Sequence, residues 1–147
     1  MKKIRLIIIS AFILSISNFA KADLNNSLKK YLDGKDIEIG STQIFLLKRC
    51  SAIYAYASGI VLKADAVSSK NFIEISNNLL FKSVELMVID ENKKLEVAQA
   101  EAEKDRKELF SNYIADGKKN WEKNKSHFKG SYISEDMAIC SKLTEEN

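Results

Sequence analysis

Proline is absent from all 147 residues of this chain, and glycine occurs only five times. Because proline breaks helix interiors and glycine weakens them, a chain with this composition can form long helices. Globular proteins contain about 5% proline on average, so the absence is a strong departure. Apolar residues also recur in steps of three and four along several segments, which is the helical period. The sequence therefore predicts an all-α fold.

The first 22 residues have the three-part pattern of a secretory signal peptide. A basic start precedes an uncharged, mostly apolar stretch over 6–20, and Ala20 and Ala22 stand at the −3 and −1 positions before Asp23. The alternative is a retained membrane anchor, but a spanning helix needs about 20 apolar residues, which is more than this stretch supplies. We therefore predict a signal peptide over 1–22, no stable membrane span after cleavage, and a periplasmic or secreted protein.

The remaining chain, residues 23–147, has the size of one helical domain. Four of the 23 basic residues belong to the leader, so the mature chain is close to neutral against its 20 acidic residues. Nucleic-acid binding needs a concentrated positive field. Acidic residues interrupt even the lysine-rich stretch 118–129, so the composition argues against a nucleic-acid partner.

The apolar periodicity predicts a bundle of about four helices, one of them long. A short opening helix covers 23–33 and begins at Asp23, which is a favourable N-cap residue. The second helix begins at Ser41 or Thr42 and carries a wide apolar stripe. Small residues near its end, Gly59 among them, indicate a tight crossing with a neighbouring helix or a kink.

A polar link over 68–71 separates the second helix from the third. The third helix either continues unbroken through 90–108 or ends at a kink there, and the pattern does not decide between these. Gly117 interrupts the apolar face that follows. A last short helix begins at Ser134 as its cap, with Asp136 favourably placed against the helix dipole.

The two cysteines, Cys50 and Cys140, both lie on apolar faces of predicted helices. Two cysteines in an exported chain are typical of one disulfide. The alternative is a redox-active pair, but such pairs usually have Cys-x-x-Cys spacing, and these two are far apart. We predict a Cys50–Cys140 disulfide that pins the C-terminal helix onto the second helix. A chain-entropy argument gives it about 4–5 kcal/mol of stabilisation.

No catalytic, metal-binding or cofactor-binding constellation is recognisable in the sequence. His127 is the one histidine, which excludes a multi-histidine metal site, and we expect it to be an ordinary exposed residue. Phosphate-loop, nucleophile-elbow, calcium-loop and haem-attachment motifs are absent. Arg49 and Asp65 border the apolar stripe of the second helix, where we expect them to snorkel or to form an ordinary ion pair. We therefore expect a protein that is not an enzyme.

The C-terminal third is rich in aromatic residues, namely Tyr113, Trp121, Phe128 and Tyr132. Core filling is the simplest explanation, and a binding surface is expected here if the chain has one. The function expected is that of a non-enzymatic cell-envelope protein, such as an adaptor, inhibitor or assembly factor, that binds an unidentified envelope protein. The alternative is a small-molecule binder with a pocket between the second, third and terminal helices. The oligomeric state does not follow from the sequence.

Export and oxidation predict the covalent state of the protein in its native host. Mass spectrometry of the native material should find Asp23 as the first residue, since Ala22 precedes the cleavage site. Thiol counting under denaturing conditions should find no free cysteine, because both sulfurs are expected in the disulfide. A retained Met1 or two free thiols would contradict this compartment assignment.

Overall fold

A computed structural model describes residues 27–145, and this part of the chain contains five α-helices and no strand. The helices are α1 (Leu28–Leu32), α2 (Gly40–Val61), α3 (Ala66–Ile89), α4 (Leu95–Asn124) and α5 (Tyr132–Glu145). The predicted all-α bundle is confirmed. The predicted signal peptide, residues 1–22, and the predicted cap at Asp23 lie outside the described residues.

The long third segment of the sequence forms two helices rather than one. The chain leaves α3 after Ile89, and Asn92 in the connection has a positive φ of 52°, a conformation that asparagine tolerates better than most residues. Of the two alternatives for this region, the structure shows an interruption. α4 then runs for 30 residues straight through Gly117, so this glycine interrupts the apolar face without ending the helix.

The polar link predicted over 68–71 is also wrong, because these residues lie inside the first turns of α3. Asp65 caps the helix instead: its carboxylate accepts hydrogen bonds from the backbone N–H of Val67 at 3.1 Å and of Ser68 at 3.0 Å. The Ser68 hydroxyl donates to the same carboxylate, and these bonds lower the pKa of Asp65. Asp65 is thus an exposed cap that satisfies helical donors, rather than a snorkelling charge on α2.

The caps predicted for α2 and α5 lie inside those helices. α2 begins at Gly40, so Ser41 and Thr42 belong to its first turn. α5 begins at Tyr132, and the hydroxyl of Ser134 donates back to the carbonyl oxygen of Ser131 at 2.9 Å. Ser131 precedes α5 instead, and its hydroxyl accepts from the backbone N–H of Ile133 at 3.3 Å.

α2 is the central helix and contacts each of the other four. Its length and composition would suit a membrane crossing, but most of it is buried against its neighbours, so the bundle core accounts for its apolar character. One core cluster joins α2 to all four other helices. A second, smaller cluster joins α2 to α3 and α4, and consists of Ile44, Leu80, Val84, Met87, Ala98 and Ala102.

Four buried serines form the contact between α2 and α3. The hydroxyls of Ser51 and Ser76 each donate to the other residue's carbonyl oxygen at 2.7 Å. About two turns away, the hydroxyl of Ser58 donates to the carbonyl oxygen of Ser69 at 2.9 Å. The pairs follow opposite directions along the two helices, so α2 and α3 are antiparallel. Small side chains that satisfy one another allow this close approach.

The predicted cysteine pairing is confirmed. Cys50 of α2 and Cys140 of α5 are bonded, with Cα atoms 5.3 Å apart, and both are fully buried. No free cysteine remains in the part of the chain that the structure describes. The bond holds the C-terminal helix against the central helix, as expected.

A buried ion pair lies beside the disulfide. Arg49 donates from Nε and Nη2 to Oδ2 of Asp136 at 2.9 and 2.6 Å, and the hydroxyl of Tyr113 donates to the same oxygen at 2.7 Å. The other carboxylate oxygen accepts from the backbone N–H of Leu28 at 2.6 Å. Side-chain exposure is 1% for Arg49 and 0% for Asp136. Together, these bonds join α1, α2, α4 and α5.

The burial of Arg49 corrects the expectation that it snorkels to solvent. Burial by itself lowers the pKa of Arg49, but attraction and hydrogen bonds from Tyr113 and Asp136 outweigh it and raise the pKa. Burial also raises the pKa of Tyr113 well above its ordinary value, which keeps its hydroxyl a neutral donor. Asp136 is therefore more than a favourable charge at the start of α5, because its partners come from three other helices.

Removal of one charge from this pair should strongly destabilise the fold. We expect Asp136→Ala to lower the free energy of unfolding by about 3–5 kcal/mol, because Arg49 then remains buried without its counter-ion. Urea unfolding of the disulfide-intact protein measures this. The double variant Arg49→Met/Asp136→Leu should recover much of the loss, since no uncompensated charge remains. A loss below about 1 kcal/mol for Asp136→Ala would contradict the importance given to this pair.

Candidate functional site

An open groove runs along α4 on the surface of the bundle. A cavity of about 610 Å³ lies between α3 and α4 over α2, and a second of about 320 Å³ continues along α4. Phe110 lines both cavities, so we treat them as one site and call it the α4 groove. Its lining residues are Ala55, Tyr56, Gly59 and Ile60 of α2, Ile73 and Asn77 of α3, Ala100, Glu103, Lys104, Arg106, Lys107, Phe110, Ile114, Lys118 and Trp121 of α4, and His127.

The α3 side of the groove meets α4 through a polar contact. Nη1 of Arg106 donates to Oδ1 of Asn77 at 3.0 Å. Towards the α3–α4 connection, the two helices pack through the smaller core cluster. Towards the other end of α4, the groove has α2 as its floor, where Ala55 and Gly59 present little or no side chain.

Large apolar side chains face the groove without being buried. Ile114 is 48% exposed and Trp121 is 47% exposed, and both belong to α4. Ile73 on the α3 side is also exposed, and Phe110 and Ile60 are half-buried. Because these side chains lie side by side along one cavity, they form a continuous apolar surface rather than scattered exposed residues.

His127 closes the far end of the groove. Its ring stacks on Trp121, with centroids 4.9 Å apart and planes 21° apart. Its Nδ1 lies 3.3 Å from the hydroxyl of Tyr56, within hydrogen-bond distance. The expectation of an ordinary exposed histidine is therefore wrong: His127 is half-buried and holds the Trp121 ring from one side.

The loop that carries His127 is fixed from within α4. Asn120 is buried, and its Nδ2 donates to the carbonyl oxygens of Ser126 at 2.8 Å and Lys129 at 3.0 Å. Lys125, just after the helix, adopts a left-handed conformation with φ of 55°. The turn is thus held by side-chain bonds from the helix, and this positions the histidine over Trp121.

Because Gly117 has no side chain, it leaves a notch on α4 that the Tyr56 ring occupies, and the helix continues through this position. A Cβ atom at Gly117 would lie 2.7 Å from Cζ of Tyr56 and closer still to the phenol oxygen. Tyr56 is buried there, its ring 6.0 Å from that of Tyr113, and burial raises its pKa to about 12. Gly117 thus serves the packing of α2 against α4.

The four aromatic residues named from the sequence do not form one surface. Tyr113 is buried within the ion-pair network, so its assignment to a binding surface is wrong. Phe128 and Tyr132 are half-buried against the core, and the hydroxyl of Tyr132 donates to Asp116 at 2.8 Å. Trp121 is the member of the four that lines the α4 groove.

Sequence reasoning missed the neighbours of Trp121 in the groove. Phe110 and Ile114 are close to Tyr113 in sequence, but they lie on a second stripe of α4, about 60° and 100° away from it around the helix. The spacing of Phe110, Ile114 and Trp121 was the available signal. That spacing identifies a solvent-facing stripe only once Tyr113 and Leu109 are known to pack in the core.

A smaller cavity occurs where the sequence suggested a pocket between the second, third and terminal helices. Its volume is about 200 Å³, and Leu46, Leu47, Leu79 and Leu143 supply most of its apolar lining. Gln43 and Lys82 are its polar lining residues. Pockets for small molecules commonly hold about 300–1,000 Å³, so this cavity is below the usual range.

Over residues 27–145, no group of three histidine, cysteine, aspartate or glutamate side chains could hold a metal ion. Comparison with protein families, curated proteins and solved structures found no match to this chain. The α4 groove is accordingly characterised by its own geometry.

Gly59 differs from Gly117 although both lie inside helices. A Cβ atom at Gly59 meets no atom within 4 Å among the described residues. The expected tight crossing at Gly59 is therefore wrong, because the close α2–α3 contact uses serines instead. Gly59 faces the open α4 groove.

The two glycines should respond oppositely to the same substitution. Gly117→Ala should lower the free energy of unfolding by about 1–3 kcal/mol, because the new methyl group displaces Tyr56. Gly59→Ala should raise it by up to about 1 kcal/mol, because alanine favours the helix and meets open space. Chemical denaturation of the two variants beside the parent protein measures both changes. Equal shifts of the same sign would show that the notch at Gly117 is not real.

Proposed function

We propose that this chain is an exported, non-enzymatic protein of the cell envelope that binds another protein through the α4 groove. The observation that carries this proposal is the row of apolar side chains left exposed along one open groove, Ile114 and Trp121 among them. Contiguous exposed apolar surface is typical of interaction sites. Tryptophan is also among the residue types most enriched at binding hot spots, and Trp121 lines the groove.

Export is supported by the leader pattern and by the cysteine pair. Disulfides persist in oxidising compartments such as the periplasm or the extracellular space. The Cys50–Cys140 bond is compatible with such a compartment, and it ties down the helix that follows the groove in the chain. We propose a periplasmic or secreted location on these grounds.

The shape of the groove favours a protein partner over a small ligand. Small-molecule sites usually enclose most of the ligand surface, whereas the α4 groove extends along the outside of one helix from Lys104 to Trp121. At about 1.5 Å per residue, this is about 25 Å. An elongated segment of another protein matches that length. The small-molecule alternative rests on the cavity of about 200 Å³ beside α5.

Capture from envelope extract tests the proposed function. The mature protein should retain a reproducible protein partner, and Ile114→Asp should lose it, because a charge would stand in the apolar groove. Phe81→Asp is the matched control: Phe81 is also an exposed apolar residue, but it is not a lining residue of the groove. Equal capture by all three proteins would show that the groove is not the binding site.

A further inference from the structure

The α4 groove carries positive charge although the mature chain as a whole is close to neutral. Lys104, Arg106 and Lys107 line its wider part with one carboxylate, that of Glu103, and Lys118 lines the other part. The ion pairs seen among residues 27–145 involve other lysines and Arg49. The groove thus offers cations on both sides of its apolar centre.

The floor of the groove offers room for a close backbone approach. Gly59 lies in the last turn of α2, and glycine within a helix costs about 1 kcal/mol relative to alanine. It has no positive φ to require it, and no atom of the described chain lies where its Cβ would be. Ala55, about one turn earlier, is similarly small. Small residues of this kind let the backbone of a packed helix come near.

The arrangement of neighbours has the form of an unfilled position in a helical bundle. α2 supplies the floor, α3 one wall of the wider part, and α4 the other wall along its length. The stretch of α4 from Lys104 to Trp121 covers about five helical turns. A helix laid along it would bury Phe110, Ile114 and Trp121, which are the apolar residues of α4 that line the groove.

We propose that the occupant of the α4 groove is an amphipathic helix of the partner, with an apolar stripe facing α2 and acidic residues at both ends. Its carboxylates pair with Lys104 and Lys107 at one end and with Lys118 at the other. This inference rests on the proposed function and names the chemistry of its partner. In helix-in-groove recognition, the inserted helix presents apolar anchors at i, i+3, i+4 and i+7 on one face, and such a face would lie against the apolar row of the groove.

Charge at both ends favours a helix over an anionic lipid. A long-chain carboxylate carries one negative group, so it would satisfy the cations at one end and leave those at the other end unpaired. A helix of about five turns carries acidic residues at both ends. Ion pairs at the two ends of the groove then set the orientation of the bound helix and its rate of encounter, while the apolar row supplies most of the binding energy.

Peptide binding can be measured by the fluorescence emission of Trp121, because it is the single tryptophan of the chain and lies in the groove. The oxidised mature protein is titrated with two synthetic helical peptides that share one apolar stripe. One has glutamate at both ends, and the other has lysine at the same positions. The glutamate peptide should shift the Trp121 emission to saturation, with an affinity that falls as salt rises. The lysine peptide should bind at least about tenfold more weakly.

Variants locate the contact. Gly59→Phe should abolish binding of the glutamate peptide, because its Cβ meets open space within 4 Å and its ring would occupy the groove. Lys104→Ala/Lys107→Ala should weaken binding roughly 2- to 30-fold, the range for two exposed ion pairs. Lys94→Ala/Lys142→Ala is the matched control, since both lysines are exposed and lie outside the groove lining, and its affinity should be unchanged. Circular dichroism confirms that each variant is folded.

Three results would overturn the inference. They are equal or stronger binding of the lysine peptide, no change in Trp121 emission with either peptide, and tighter binding of a long-chain carboxylate than of the glutamate peptide. If the groove still captures an envelope protein that Ile114→Asp loses, the proposed function stands and only the acidic-helix chemistry falls. If capture also fails, both proposals fall.

Discussion

The arrangement of the bundle depends on the buried contact between Arg49 and Asp136. Two charges removed from water are costly, and their attraction offsets the cost only when the remaining polar atoms are also satisfied. Here the hydroxyl of Tyr113 and the backbone N–H of Leu28 complete the carboxylate's bonds. Any other placement of α5 on α2 would leave a charge without its partner. The ion pair therefore selects one packing of four helices, whatever its net contribution to stability.

The disulfide acts on the same crossing by a different mechanism. Cys50 follows Arg49 directly, and Cys140 lies one turn after Asp136, so the covalent bond and the ion pair hold adjacent turns of α2 and α5. The bond restricts the unfolded chain, whereas the ion pair discriminates between folded arrangements. With α5 fixed at Cys50, the side of α2 that carries Gly59 lies about 180° away. That side is covered by α3 and α4 alone, and there the groove opens.

The sequence was sufficient for features that depend on local pattern. Helical periodicity and the two cysteines predicted the bundle and its crosslink, because each needs only spacing and compartment. Features that depend on a distant partner were missed. The buried partner of Arg49 was missed because Asp136 is far away in the chain, and the packing role of Gly117 was missed because Tyr56 contacts it from another helix. The groove could not be predicted for the same reason. Two neighbouring apolar stripes run along α4, and only the tertiary packing determines which stripe is buried in the core and which faces solvent.

The two helical glycines differ in a way that supports the proposal of a partner in the groove. Each glycine weakens its helix by about 1 kcal/mol. At Gly117, the space is used by Tyr56 of the same chain, so the cost is offset by packing. At Gly59, nothing in residues 27–145 uses the space, and beside it Ile114 and Trp121 remain exposed to water. A second backbone packed against α2 would explain both the absence of a side chain at Gly59 and the exposure of Ile114 and Trp121. Exposure of these apolar side chains to water is unfavourable in the free protein. Binding would then be favoured, because the apolar surfaces of the groove and of the partner leave water together.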